Sequence, residues 1–223
     1  MSMRMSHLAQ HDALTGLPNR LLLADRLDRG IAAAHRNVTS LAVLFIDVNR
    51  FKYINGSFGH AVGDRVLQSI ARRLEAGVRK SDSVCRLGGD EFVVLLSEVA
   101  CAADVAFSAD KLLAALAAPH RIAGQDLYVT ASVGIAVYPA HGADTESLLN
   151  EADFALLRAK ALGCHMNARH DDAGPAQLGA PPHRPVPVMH LQFTHGLSPD
   201  HRPLVSPGLE LATALTTRTR RYL

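Results

Sequence analysis

The sequence predicts an α+β domain, one sheet backed by helices, and three observations carry that prediction. Periodic segments run in the order α-β-α-β-β-α-β-α, a mixture that builds a single sheet with helices packed on it. Two strand-like runs flank Gly88-Gly89, which is a hairpin signal. Apolar residues make up 48% of 223 residues, enough for one buried core plus a tail.

Each element has its own signal. Leu17-Pro18-Asn19-Arg20 leads into a helix with Leu23, Leu27, Ile31 and Ala34 at helical spacing. Proline in the first turn and a breaker near Asn37 frame it. Ser40 to Asp47 reads as a short buried strand ending in a carboxylate. A glycine-containing loop with Asn55, Gly56, Gly59 and Gly63 follows. Asp64 to Ala76 is then helical, with Val66, Leu67, Ile70, Ala71 and Leu74 on one face. Ser83 to Leu87 and Glu91 to Leu96 form the hairpin strands. Ala102 to Ala117 is an alanine-rich helix stopped by Pro119, and Leu127 to Val137 alternates as a strand. Ser147 to Leu162 is a last amphipathic helix, with Gly163 expected to close it.

Composition changes sharply after Cys164. The chain carries 23 Lys+Arg against 21 Asp+Glu, and such balance argues against a partner that is a nucleic-acid polymer. All four lysines precede the break, whereas eight of the 11 prolines and six of the 12 histidines follow it. The expected organisation is a domain over residues 8–165 and a disordered Pro/His/Arg-rich tail over 166–223. Its composition reads like out-of-frame or unselected sequence, and its one plausible element lies near Leu209 to Thr217. Cys85, Cys101 and Cys164 form no CxxC or Cys/His zinc pattern, and their odd number suits a reducing compartment. No apolar run is long enough to span a bilayer and the amino terminus lacks an apolar signal core. A soluble cytoplasmic protein is expected.

Three features point to phosphate and metal chemistry. Asp47 at the end of a buried strand is placed to hold Mg²⁺ through hard oxygen, although a strand-end aspartate more often caps a turn. Gly88-Gly89-Asp90-Glu91-Phe92 sets two adjacent carboxylates on a tight hairpin. In extended chain Asp90 and Glu91 point to opposite sides, so one can ligate a metal while the other does something else. A plain turn entering a strand explains the same letters. Lys52, Asn55 and Asp64 supply a cation, an amide and a carboxylate beside a glycine-rich loop. Asn and Asp can read a guanine edge, and helix capping is their commoner use.

These stretches together resemble the GGDEF domain family of diguanylate cyclases. The matching segments are His11–Arg20 (HDALTGLPNR), Phe45–Asp64 (FIDVNRFKYINGSFGHAVGD), Arg86–Phe92 (RLGGDEF), Ser132–Pro139 (SVGIAVYP) and Glu151–Gly163 (EADFALLRAKALG). The resemblance implies a palm-like fold similar to class III nucleotide cyclases, with a central, mostly antiparallel sheet flanked by helices. It implies condensation of two GTP to cyclic di-GMP and two pyrophosphates, on two domains meeting face to face in a transient homodimer. Two Mg²⁺ (or Mn²⁺) ions per site would be held by Asp47, the Val48 carbonyl, Asp90 and Glu91. Glu91, Asp90 and Lys52 would be the catalytic groups. The amides of Asn49, Arg50 and Phe51, with Lys52, would cradle the phosphates beside Gly88 and Gly89. Asn55 and Asp64 would read guanine, and Lys160 would reach the triphosphate. Arg79 and Asp82, an RxxD pattern before the glycine pair, would bind the product as inhibitor.

The sequence departs from the family pattern at several places. Cys164 stands where an arginine usually contacts phosphate, and losing one charge-assisted hydrogen bond costs about 1.5–3 kcal/mol. Asn49 replaces a frequent aspartate and is assigned no metal role. Leu157 replaces a common tyrosine, read as a packing change, and Gly56 a frequent aspartate, read as a change in loop rigidity. Only about ten residues precede the domain, and no EAL-like pattern follows it. The alternative function is therefore a weak or inactive module that binds GTP or cyclic di-GMP and regulates a partner.

Overall fold

The computed structural model describes residues 10–167 and 191–193. In chain order the elements are α1 (Arg20–Asn37), β1 (Ser40–Val48), α2 (Phe51–Phe58), α3 (His60–Gly77), β2 (Ser83–Gly88), β3 (Glu91–Val99), α4 (Ala102–Ala117), β4 (His120–Ile122), β5 (Gln125–Leu127), β6 (Ala131–Tyr138), α5 (Thr145–Asn167) and β7 (Leu191–Phe193). The main sheet has the order β2-β3-β1-β6-β7. Its β2–β3, β3–β1 and β1–β6 pairs are antiparallel, and β7 joins the β6 edge in parallel. This is the α+β architecture expected, an antiparallel sheet with helices on its faces.

Strand β1 is central and buried on both faces, which is why Leu41 to Ile46 is an unbroken apolar run. Leu44 and Ile46 meet Val66, Ile70 and Leu112 from α3 and α4 in one half of the core. Val43 and Phe45 meet Leu23, Leu27, Leu148 and Leu156 from α1 and α5 in the other. Gly134 on β6 is what lets α5 lie close. A Cβ there would stand 2.0 Å from the Ala152 carbonyl oxygen and 2.3 Å from the Leu156 nitrogen, too near for any side chain.

Several boundaries differ from the sequence reading. Asn19, not Pro18, opens α1: its Oδ1 accepts from the Leu21 and Leu22 amides at 3.0 and 3.2 Å. The segment read as a loop after β1 is the helix α2, and Gly56 lies inside it. Helix α3 begins at His60, with Gly59 at positive φ (82°) as its cap. The strand expected over Leu127 to Val137 is divided. Its first residue ends the small β4–β5 hairpin, residues 128–130 belong to no strand, and β6 begins at Ala131. Helix α5 runs through Gly163 instead of stopping there; one glycine lowers helix propensity by about 1 kcal/mol without forbidding the helix. Leu157 is 56% exposed, so its replacement of tyrosine is a surface change, not a packing one. In the tail, β7 is a strand the proline pattern did not reveal, and the element expected near Leu209 to Thr217 lies outside the described residues.

Candidate active site

Sheet register assembles the carboxylates. Asp47 is the direct cross-strand partner of Glu91 on β3 and of Ser132 on β6. Opposed residues share a face, here the one covered by α1 and α5. Asp90 sits in the turn that precedes Glu91, and its carbonyl accepts the Val48 amide at 3.3 Å. From α5, Lys160 reaches down to place Nζ 2.7 Å from Asp47 Oδ2.

The electrostatics are those of crowded negative charge. Burial pushes the Asp47 carboxyl above its ordinary range, Lys160 pulls it back, and the charges of Asp90 and Asp153 push it further up. Glu91 is raised by burial first and then by Asp47, Asp153 and Asp90, with Arg20 opposing. Hard oxygen donors that repel one another fit a divalent cation. Among the described residues no three such side chains already stand at coordinating distances, and Lys160 is the cation now on Asp47.

The hairpin turn is held from behind. Gly88 and Gly89 have φ of 144° and 51°, which glycine adopts without strain. Arg86, 8% exposed, donates from Nε and Nη2 to the Gly89 carbonyl at 3.2 and 2.6 Å. Its Nη1 pairs with Asp12 at 2.8 Å. Burial raises the Asp12 carboxyl, but hydrogen bonds from Thr15 and Arg86 and the charge of Arg86 outweigh it, so the net shift is downward. The sequence reading gave Arg86 and Asp12 no role, although both stand in quoted motifs. An arginine two residues before a two-glycine turn was the available signal.

The expected phosphate loop is the two-residue step Asn49-Arg50 between β1 and α2. Arg50 takes positive φ (56°) and turns the chain so that α2 starts at Phe51. The first amides of a helix lack intrahelical acceptors, here those of Phe51 and Lys52; the Phe51 side chain is buried in the core and Lys52 is exposed. Asn49 departs from expectation. Its amide is spent on the Thr130 carbonyl at 2.9 Å, so it does not join a cradle.

Asn55 on α2 is brought against α3. A Cβ on Gly63 would lie 1.9 Å from its Oδ1, so only glycine permits the approach. That Oδ1 is buried with no hydrogen-bond partner, and Asp64 is the next residue, exposed on α3. At the other expected site, Asp82 accepts from the Arg79 and Ser97 amides at 3.0 and 3.1 Å. Its carboxylate therefore organises its own loop, and the Arg79 side chain is exposed. The side chain of Cys164 lies outside the described residues.

Comparison with known proteins places the chain in a family. Residues 9–165 match the family described as "Diguanylate cyclase, GGDEF domain". Diguanylate cyclase TpbB of Pseudomonas aeruginosa is 46% identical over 157 residues, covering 70% of this chain and 36% of the relative. The chain thus spans about a third of that protein. The solved GGDEF domain of the same protein superposes with a TM-score of 0.67 at 46% identity, covering 68% of this chain and 89% of that one. The coiled coil and GGDEF domain of DgcB from Caulobacter crescentus, solved with c-di-GMP, has a TM-score of 0.64 at 27% identity, covering 72% and 85%. With the motifs in order, the register that joins them and a match over most of its length, the chain belongs to the GGDEF domain family.

Proposed function

We propose that this chain is a diguanylate cyclase, with its domain at residues 8–165. The observation that carries the reading is the cross-strand pairing of Asp47 with Glu91 at the mouth of the Gly88-Gly89 turn, beneath Lys160. Each domain would bind one GTP, and two domains would face each other as a transient homodimer. The 3′-oxygen of one GTP bonds to the α-phosphorus of the other, the bond from that phosphorus to pyrophosphate breaks, and the hydroxyl proton leaves to a base. A second, reciprocal transfer closes the ring.

The residues divide this work. Asp47, the Val48 carbonyl, Asp90 and Glu91 would hold two Mg²⁺ or Mn²⁺, whose contribution is to neutralise phosphate charge and acidify the attacking hydroxyl. Glu91, made more basic by burial and then by its acidic neighbours, takes the proton. The amides of Phe51 and Lys52, the Lys52 ammonium and Lys160 hold the triphosphate. Asn55, with an unpartnered acceptor oxygen, and Asp64 accept from the guanine N–H groups. Arg79 and Asp82 would bind the product and feed back on the rate. Among the described residues no helix is long and apolar enough to cross a membrane, and free Cys85 and Cys101 fit a reducing, cytoplasmic setting.

The test is incubation of nucleotide-stripped protein with GTP and Mg²⁺ and detection of cyclic di-GMP by chromatography. Product from the parent and none from Glu91→Ala is the expected result. Cys164→Arg should tighten GTP binding about ten- to a hundredfold, the value of one charge-assisted hydrogen bond. The cysteine is also what favours the second reading, a module that binds nucleotide and regulates a partner. Binding of cyclic di-GMP with no turnover from either the parent or Cys164→Arg would establish that instead.

A further inference from the structure

Asn49 is gripped on every polar atom of its side chain. Its Nδ2 donates to Thr130 Oγ1 at 3.1 Å, and its Oδ1 accepts from Ser132 Oγ at 2.9 Å. Its amide donates to the Thr130 carbonyl at 2.9 Å. The β1–β6 ladder ends at the pair Val48 and Ala131, so these bonds extend strand pairing one residue past the sheet. Only Arg50 then separates the gripped residue from the first turn of α2, and Arg50 is in the left-handed conformation. The direction in which the Phe51 and Lys52 amides point is therefore set by where Asn49 is held.

We infer that Thr130 and Ser132 are positioning residues for the triphosphate, acting through Asn49 on the amides that open α2. The inference rests on the GTP reading above. The chemistry of the grip suits a phosphate neighbour. A neutral carboxamide offers a donor group at one end and an acceptor at the other, each engaged here by one hydroxyl, so the loop is fixed without adding negative charge beside the phosphates. Ser132 is 5% exposed, and removing its hydroxyl leaves Asn49 Oδ1 without that donor. Thr130 is exposed, so changing it does not disturb the core.

The test uses the full chain with Thr130→Val, Thr130→Ser and Ser132→Ala. Initial rates with GTP and Mg²⁺, and equilibrium binding of inorganic pyrophosphate, are measured for each. Thr130→Val and Ser132→Ala should each raise KM for GTP and weaken pyrophosphate binding about tenfold, with kcat within about twofold of the parent. Thr130→Ser should restore parental values, since it keeps the accepting hydroxyl. Thr130→Val with KM and pyrophosphate binding unchanged, or with kcat lowered at constant KM, overturns the inference. If the parent neither binds GTP nor forms product, the GTP reading fails, and amide hydrogen exchange then decides the grip by itself. Faster exchange at Asn49 and Tyr53 in Thr130→Val, with β1 core amides unchanged, supports it; unchanged exchange at those two amides overturns it.

Discussion

Glu91 and Asp47 hold their charges against the fold's preference. Because both carboxyls are raised, ionising them is harder in the folded protein than in the unfolded chain, and the ionised pair costs stability at neutral pH. Glu91→Gln should therefore abolish product formation yet raise the thermal midpoint of the nucleotide-free protein. The gain should be of the size of an exposed charge interaction, about 0.2–1 kcal/mol. Adding Mg²⁺ should stabilise the parent more than the variant, and differential scanning calorimetry reads both effects. The same upward shift predicts that turnover falls on the acid side at a higher pH than an ordinary glutamate would give. A rate profile with its acid limb at or below the usual carboxylate value would contradict that. Val38 stores strain of another kind. A β-branched residue at φ 53°, it is 93% exposed at the end of α1, where the left-handed conformation costs an L-residue about 1–2 kcal/mol. Val38→Gly should raise stability by about 1 kcal/mol in denaturant titration without touching GTP binding.

Among the elements, α5 and β6 depend on one missing side chain. Gly134→Ala puts a carbon against the α5 backbone, which cannot give way as a flexible side chain could. The expected loss is about 3 kcal/mol or more, with Lys160 withdrawn from Asp47 and GTP affinity reduced in whatever protein still folds. This is also where the sequence was least legible. Leu23, Leu27, Val66, Ile70 and Leu74 declared their helix faces because burial is periodic, and α4 was readable to both its ends. Asp47, Asp90 and Glu91 were legible as candidates through the ordered motifs around them, since a strand-end aspartate more often caps a turn and a plain turn explains the same hairpin letters. Helix α2 was not legible, since Asn55, Gly56 and Ser57 have poor helix propensity and packing overrides it. The partners of Arg86 and Asn49 were also hidden, because contacts such as Arg86 to Asp12 and Asn49 to Ser132 join residues far apart in the chain. No local pattern encodes such pairs.

At the scale of the whole molecule, acid should act against the fold through His120 and Asp12, and in its favour through the raised carboxyls of Asp47 and Glu91. His120 is fully buried, with Nδ1 2.8 Å from Ser69 Oγ and Nε2 2.9 Å from the Leu116 carbonyl. Burial lowers its pKa, so the fold holds it neutral while the unfolded chain binds its proton near the ordinary value of about 6.5. Its contribution is intact above that pH and is lost as pH falls below it. Asp12, lowered by its bonds to Thr15 and Arg86, contributes above the ordinary carboxylate value and is lost further down. Unfolding midpoints should thus begin to drop below about pH 6.5 and drop again toward pH 4, the second step partly offset as Asp47 and Glu91 take up their protons. His120→Gln should remove the first step and leave the second.

The position of β1 in the sheet has a consequence for how the chain is made. Its neighbour on one side, β3, follows within the next segment, but its neighbour on the other side, β6, begins only at Ala131. A ribosome that has released β1, β2 and β3 has produced an apolar sheet whose β1 edge is bare. That edge stays uncovered until everything between Val99 and Ala131 is synthesised, a few seconds at roughly 5–20 residues per second. An open apolar edge is a template for pairing with another chain. Nascent chains stalled in that interval should be the aggregation-prone species of this protein, and chaperone crosslinking to them should fall off once β6 emerges.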